Sequence, residues 1–337
     1  MYRPGTKVGR QFTNMNFVLN HGALGDVMAS LPAILHARQR VPNLEMTVWA
    51  PAYLHELLAH LLAPYGAFKF ERFEDFKTKA IDRDPLKEGP YVLNSVAYNT
   101  MTRNRQDMVN FAFHSMLDTA PETHEMRSYP TQAPLGPRPL SMPYVVVPVG
   151  STSDNKALHH SVMTPVLEWL LSVNVQPVIT GTNKSYVTKI TDEHGLAPLV
   201  VRDSFAEVPE KVRNMCLDMR NQMSLVELRT WCGHAEAVIG VDGGTLHLAG
   251  TTDAPIVYGL TTVRPIHRTI ARHGKPGWKQ TFVTPRNLAC AGCQSNWMLV
   301  FGHDFSTCAY GDNACVTALH SDDYIDALRN IGVGEPK

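Results

Sequence analysis

The chain of 337 residues is 44% hydrophobic and 18% charged, with 31 basic residues against 31 acidic ones. That apolar content suffices for about two ordinary domains and excludes a disordered or coiled-coil chain. The even charge excludes the overall basic excess of a protein that wraps nucleic acid, leaving only a local basic groove open. No apolar run approaches the ~18 residues needed to cross a bilayer. Nor is Met1–Gly5 followed by a signal-type apolar stretch, so a cytoplasmic location is expected. Six cysteines in a chain of this length do not make a disulfide scaffold, although four of them fall in the last fifty residues.

In chain order, Phe17-Val18-Leu19 predicts a buried strand and Asn20–Asp26 a turn. Val27, Leu31, Ile34 and Leu35 then recur at helical spacing. Met46–Trp49 predicts a strand stopped by Pro51, Leu54, Leu57, Leu58 and Leu61 the face of a second helix, and Tyr91–Leu93 a later strand. Pro130, Pro134, Pro137, Pro139 and Pro143 mark a linker that holds neither helix nor central strand. The pattern then restarts: strand Tyr144–Val149, helix Val162–Val173, and strand Val175–Thr180 closed by Gly181. Ser224 and Glu227 have capping-box spacing and open a helix through Trp231, followed by strands at Ala237–Val241 and Pro255–Tyr258. This alternation predicts an α/β protein of two Rossmann-like domains, residues 1–140 and 141–337, facing across a cleft.

Two glycine turns carry the chemistry. Gly22-Ala23-Leu24-Gly25-Asp26 joins a strand to a helix. There Asp26 is either an N-cap or a carboxylate at the carboxyl end of the first strand, able to take a proton from a hydroxyl. The turn lacks the P-loop and the full dinucleotide fingerprint. The second turn, Val241-Asp242-Gly243-Gly244-Thr245-Leu246-His247, runs from a buried strand into a short helix beginning near Thr245. Its exposed amides and helix dipole favour an anion, and His247 in the first turn is either a phosphate donor or a packed histidine.

Together these turns resemble glycosyltransferase family 9, the ADP-heptose:lipopolysaccharide heptosyltransferases. Gly25-Asp26, Leu31-Pro32 and Val41-Pro42 resemble the family's opening. Asp242 to Ala249, Ala254-Pro255-Ile256-Val257 and Tyr258-Gly259-Leu260-Thr261 resemble its donor-binding signature. Asp154-Asn155-Lys156 resembles the segment that supplies a phosphate-contacting lysine. The resemblance implies the GT-B fold, with an N-terminal acceptor domain and a C-terminal nucleotide-sugar domain. It implies inverting transfer of a sugar from a nucleotide-diphosphate donor of the ADP-heptose kind to an acceptor hydroxyl, with no cofactor or catalytic metal. Asp26 would be the general base. Lys156, the amides of Gly243, Gly244 and Thr245, and His247 would hold the diphosphate, and Asp242 would shape the turn. The chain departs from the family at Gly243, where Ser or Thr is usual, and at Leu260, where the family has Pro.

Cys290-Ala291-Gly292-Cys293 has the spacing of half a tetrahedral zinc site, which Cys308 and Cys315 would complete at irregular spacing, with His303 as a substitute ligand. Such zinc would be a structural clasp, with free thiols and disulfides as the alternatives. Cys216 and Cys232 fall in regular elements and read as core. Arg103 and Arg105 suit an anionic acceptor or a solvated loop, and the basic run Arg264–Lys279 suits the diphosphate or the surface. The acceptor is a glycan or another hydroxyl compound. The alternatives are a DNA-modifying glycosyltransferase acting on a hydroxymethylated base and a non-catalytic nucleotide-sugar-binding module, which would not need Asp26.

Overall fold

The computed structural model of the protein describes residues 14–19, 23–73, 75, 91–93, 128–151, 156–182, 186–191, 195–199, 203–265, 268, 270, 279–293, 308 and 310–335. The chain divides into two units, Met1–Pro134 with Ile270–Lys275, and Leu135–Thr269 with Pro276–Lys337. The division falls inside the proline-rich stretch, a few residues before position 140. That stretch is not a loose tether. In the first unit the Thr131 amide donates to the Tyr65 hydroxyl (3.2 Å) and His60 Nε2 bonds the Pro134 carbonyl (3.0 Å). In the second, the Gly136 amide donates to Thr230 Oγ1 (3.3 Å) and His234 Nε2 bonds the Gly136 carbonyl (2.8 Å).

The first unit contains β1 (Asn14–Val18), α1 (Leu24–Arg40), β2 (Glu45–Ala50), α2 (His55–Leu62), β3 (Lys69–Arg72) and β4 (Tyr91–Leu93). Its four strands are parallel in the order β3-β2-β1-β4, with Phe17 opposite Val48 on one side and Val92 on the other. β2 is buried from Met46 to Ala50, the continuous apolar reading expected where helices cover both faces. In α2, Leu57, Leu58, Leu61 and Leu62 are buried and Glu56 and Ala59 face out, so one stripe fixes the helix on the sheet. β3 (Lys-Phe-Glu-Arg) has no apolar run to reveal it. It lies at the sheet edge, where charge guards an open row of amides.

The second unit is built on β5 (Tyr144–Val149), α3 (His160–Ser172), β6 (Gln176–Gly181), β9 (Leu217–Asp218), α5 (Leu225–His234), β10 (Ala237–Val241), α6 (Gly244–Ala249), β11 (Ile256–Gly259), β12 (Gln280–Val283) and α8 (Ser321–Asn330). β7 (Tyr186–Thr191) and β8 (Gly195–Leu199) form a separate antiparallel pair, and α4 (Glu210–Arg213) and α7 (Ala314–Thr317) are single turns. The six-stranded sheet is parallel, in the order β12-β11-β10-β5-β6-β9. From β5 the chain builds outward through β6 and β9. It then returns to lay β10 on the other side of β5 and builds outward again. The carboxyl ends of β5 and β10 therefore flank the topological switch point, where parallel sheets leave a crevice for ligands.

The core of this unit joins Val145 and Val147 of β5, Ile239 and Val241 of β10 and Val257 of β11 to Val166, Leu167 and Leu170 of α3 and Tyr324 and Leu328 of α8. Tyr324 also donates its hydroxyl to the Gly240 carbonyl (3.2 Å), hooking α8 onto β10. The Ser224 capping box forms in full, with Glu227 N donating to Ser224 Oγ (3.2 Å) and Ser224 N to Glu227 Oε2 (2.7 Å). Among the described residues no helix is long and apolar enough to cross a membrane.

Candidate functional site

Asp242 is the first residue beyond β10, and several side chains converge on its carboxylate. Lys156 Nζ lies 3.1 Å from Oδ2. Arg268 Nε lies 3.0 Å from Oδ1 and 3.1 Å from Oδ2, and the Tyr258 hydroxyl donates to Oδ1 at 3.0 Å. His247 Nε2 is 2.8 Å from the Tyr258 oxygen and 3.6 Å from Oδ1. One assignment satisfies every group: His247 Nε2–H donates to Tyr258, whose O–H donates to Asp242. Burial alone would push the Asp242 carboxyl up. Arg268 and Lys156, helped by His247, outweigh it and hold the group well below the usual carboxylate range. Side-chain exposures are 5% for Asp242, 7% for Arg268 and 3% for His247, against 23% for Lys156. The ammonium is thus the member of the network best placed to meet a ligand.

The sequence places these groups through two turns. Lys156 follows β5 and Asp242 follows β10, so residues 86 apart in the chain meet at the switch point. Gly243 caps α6 with extended backbone, and Gly244 and Thr245 open the helix, which has six residues. Thr251 Oγ1 and Thr252 Oγ1 donate to the carbonyls of Leu248 (2.7 Å) and Ala249 (2.8 Å) at the other end of α6. The fully buried Arg229 of α5 donates to Thr251 Oγ1 and to the Thr251 carbonyl, both at 3.0 Å.

Of the expected donor residues, Lys156, Asp242 and His247 come together, with the backbone of Gly243 to Thr245 beside them. His247 is not aimed outward, because its Nε2 is engaged with Tyr258 and Asp242. Tyr258 and Arg268 join them, marked in the sequence only as parts of the donor-like signature and of the basic run and given no role of their own. Tyr258 reads as one more core residue of a strand, and Arg268 as one cation in a basic run. Asp154, Asn155, His267, Arg272, His273 and Lys275 lie outside the described residues.

In the first unit Asp26 is the third residue of α1 and is buried. It is not the N-cap. Ala23 holds that position, and no side chain caps the helix. Ser30 Oγ donates to the Asp26 carbonyl (2.8 Å). Gly22 and the pair Arg103 and Arg105 lie outside the described residues.

Cys290, Cys293, Cys308 and Cys315 are all free thiols. Burial pushes Cys315 up to about 12, and the charges of Cys293, Cys308 and Cys290 add to the shift, so the four share one neighbourhood. Among the described residues no three of these sulfurs lie within 4.8 Å of one another, so the cluster is more open than a closed tetrahedral site. His303 lies outside the described residues. Cys232 is fully buried and Cys216 partly so, and burial pushes both thiols up to about 12.

No protein-family model and no curated protein matches this sequence. Solved structures do match. TibC from enterotoxigenic E. coli, described as an iron-containing dodecameric glycosyltransferase, superposes with a TM-score of 0.71 at 17% identity, covering 95% of this chain and 76% of that one. A second structure of TibC, as a heptosyltransferase in complex with ADP-D-β-D-heptose, has a TM-score of 0.68 at 17% identity over 98% and 80%. E. coli ADP-heptose lipopolysaccharide heptosyltransferase II matches with a TM-score of 0.61 at 13% identity, covering 94% of this chain and 98% of that one. A family 9 glycosyltransferase from Veillonella parvula matches at 0.60 and 11% over 95% and 97%. At such identities the likeness establishes a fold: the Rossmann-like α/β architecture of these glycosyltransferases.

Proposed function

We propose that the protein is a glycosyltransferase of the two-domain GT-B type that moves a sugar from a nucleoside-diphosphate donor, of the ADP-heptose kind, to an acceptor hydroxyl with inversion. The observation that carries this reading is the meeting of Lys156 and Asp242 at the switch point of the second unit. The fold shared with heptosyltransferases, two of which are described with ADP-heptose in their names, supports it.

In the proposed reaction Asp26 takes the proton of the acceptor hydroxyl. The freed oxygen pair attacks the anomeric carbon from the face opposite the leaving group, and the bond from that carbon to the diphosphate oxygen breaks. The departing diphosphate carries the electron pair away as negative charge. Lys156 and the amides of Gly243, Gly244 and Thr245 stabilise that charge. Asp242 holds the Lys156 ammonium in place before the donor arrives. His247, Tyr258 and Arg268 fix Asp242 in turn, so His247 acts on the donor through Asp242. Arg103 and Arg105 are proposed for an anionic acceptor. The four C-terminal thiols share one neighbourhood and would have to draw closer together to hold a structural metal, zinc or the iron named for TibC, which would clasp the C-terminal segment.

A thermal-shift screen of ADP-, GDP- and UDP-sugars tests the donor. The true donor at a hundredfold over its dissociation constant adds about 2.7 kcal/mol of stability. Stabilisation by no nucleotide sugar overturns the reading. If a donor binds and Asp26→Asn turns over as fast as wild type, the base assignment fails while donor binding stands.

A further inference from the structure

Away from Asp242, the start of α3 carries two adjacent histidines against a glutamate. His159 is the N-cap of α3, His160 its first residue, and Glu207 ends the short turn Ser204–Glu207. One ring nitrogen from each histidine and one Glu207 carboxylate oxygen all lie within 4.8 Å of one another. The rings are 4.1 Å apart between centroids, tilted by 36°. His160 Nδ1 is covered from solvent and sits 2.6 Å from Glu207 Oε2, yet the pair lacks the directional geometry of a hydrogen bond. A tetrahedral Zn²⁺ with bonds of ~2.0–2.1 Å holds its ligand atoms roughly 3.3 Å apart, so a small side-chain rotation brings both groups onto one cation.

We propose that His159, His160 and Glu207 form a binding site for a divalent cation of the zinc class, with a fourth position open to water. Two imidazoles and one carboxylate are the borderline ligand set that Zn²⁺ takes in open sites. His159 Nδ1 is the N-cap acceptor of α3: the Ser161 amide donates to it at 3.3 Å, and Ser161 Oγ lies 2.7 Å away. A cation at Nε2 would move the ring proton to Nδ1, which would then donate to Ser161 Oγ. Glu207 is the solvent-facing member at 61% side-chain exposure, so an ion can enter without the core opening. The cation would join the start of α3 to the Ser204–Glu207 turn. This site shares no residue with the cysteine cluster or the Asp242 network, so it stands or falls independently of the proposed reaction.

The test is equilibrium Zn²⁺ binding to the full chain, with histidine carbethoxylation mapped by mass spectrometry in parallel. Cys290→Ser, Cys293→Ser, Cys308→Ser and Cys315→Ser in one background removes competing thiolates, and the native chain with its cysteines intact is measured alongside. The expected result is one Zn²⁺ that persists without the cysteines, protects both His159 and His160, and binds ~10-fold or more weakly in Glu207→Gln. Glu207 is exposed, so this variant keeps the fold, and an unchanged circular-dichroism spectrum verifies it. If the cysteine-free chain does not fold, histidine protection in the native chain decides alone. Zn²⁺ that leaves both histidines equally reactive, or that binds Glu207→Gln as tightly as wild type, overturns the site.

Discussion

Asp242 has more partners than a turn residue needs, and its titration has a measurable consequence. The unfolded carboxyl titrates near ~3.9, whereas Arg268 and Lys156 hold the folded one well below that range against the effect of burial. A depressed folded value stabilises the protein above the unfolded pKa, and the contribution is lost as pH falls through the folded value. Acid titration of stability should therefore show a steep limb below about pH 4. Asp242→Asn should flatten that limb and cost ~3–5 kcal/mol at neutral pH by leaving buried cations unpaired. An unchanged acid limb would contradict the network. Lys156→Ala should raise the donor dissociation constant and slow turnover, and Asp26→Asn should lower turnover ~100-fold with donor affinity kept. Single-turnover rates beside nucleotide titrations separate the two effects. The sequence singled out Lys156, Asp242 and His247 because each sits in a turn with a recognisable pattern. Tyr258 and Arg268 were marked only as parts of longer segments: the strand hides the role of the first, and only the fold brings the second across to β10.

At the scale of elements, the apolar strands and capped helices were legible because local chemistry and tertiary packing agree. β1, β2, β4, β5, β6, β10 and β11 all overlap runs the sequence marks, β1 by only Phe17 and Val18, and the Ser224 capping box forms as its spacing requires. Replacing Ser224 by alanine should cost ~1 kcal/mol, read as a lower midpoint in urea with an unchanged slope. β3 and β9 escaped notice because edge strands are short and charged. α8 escaped because its buried Tyr324, Ile325 and Leu328 are set among acidic residues. A close approach fixes Gly259 at the end of β11, where a methyl group would overlap the Tyr324 hydroxyl and the Gly240 carbonyl. Gly259→Ala should destabilise the second unit by several times the Ser224→Ala effect, since neither β10 nor α8 can retreat from a close-packed core. A loss no greater than that of Ser224→Ala would mean that α8 is loosely held.

For the whole molecule, the parallel sheets follow from two runs of alternating strand and helix, and this regularity made the α/β class readable from the chain, though not the strand orders. The cysteine cluster is different in kind, because spacing alone cannot say whether four thiols close on an ion. If they hold a structural metal, elemental analysis of the purified protein should find about one zinc or iron per chain at this cluster. A chelator should then lower the melting temperature, because structural binding energy is folding energy. Metal-free protein in which all four thiols titrate with a disulfide reagent would refute the clasp. Without metal, Cys315 should alkylate slowly at neutral pH, since its thiol is pushed up to about 12.

The six residues of α6 are too few to hold a helix in isolation, where such a segment would open and close freely. Here its last carbonyls are bonded by Thr251 and Thr252, and Arg229 anchors that end to α5. The backbone beside Asp242 should therefore open only when the second unit does. In native-state hydrogen exchange, the Leu248 and Ala249 amides should follow the slowest, global class, and in Arg229→Ala they should drop into a faster, local one. A helix this short that exchanges no faster than the central strands would mean that the ordering of this turn is completed during folding, leaving none to be done when ligand arrives.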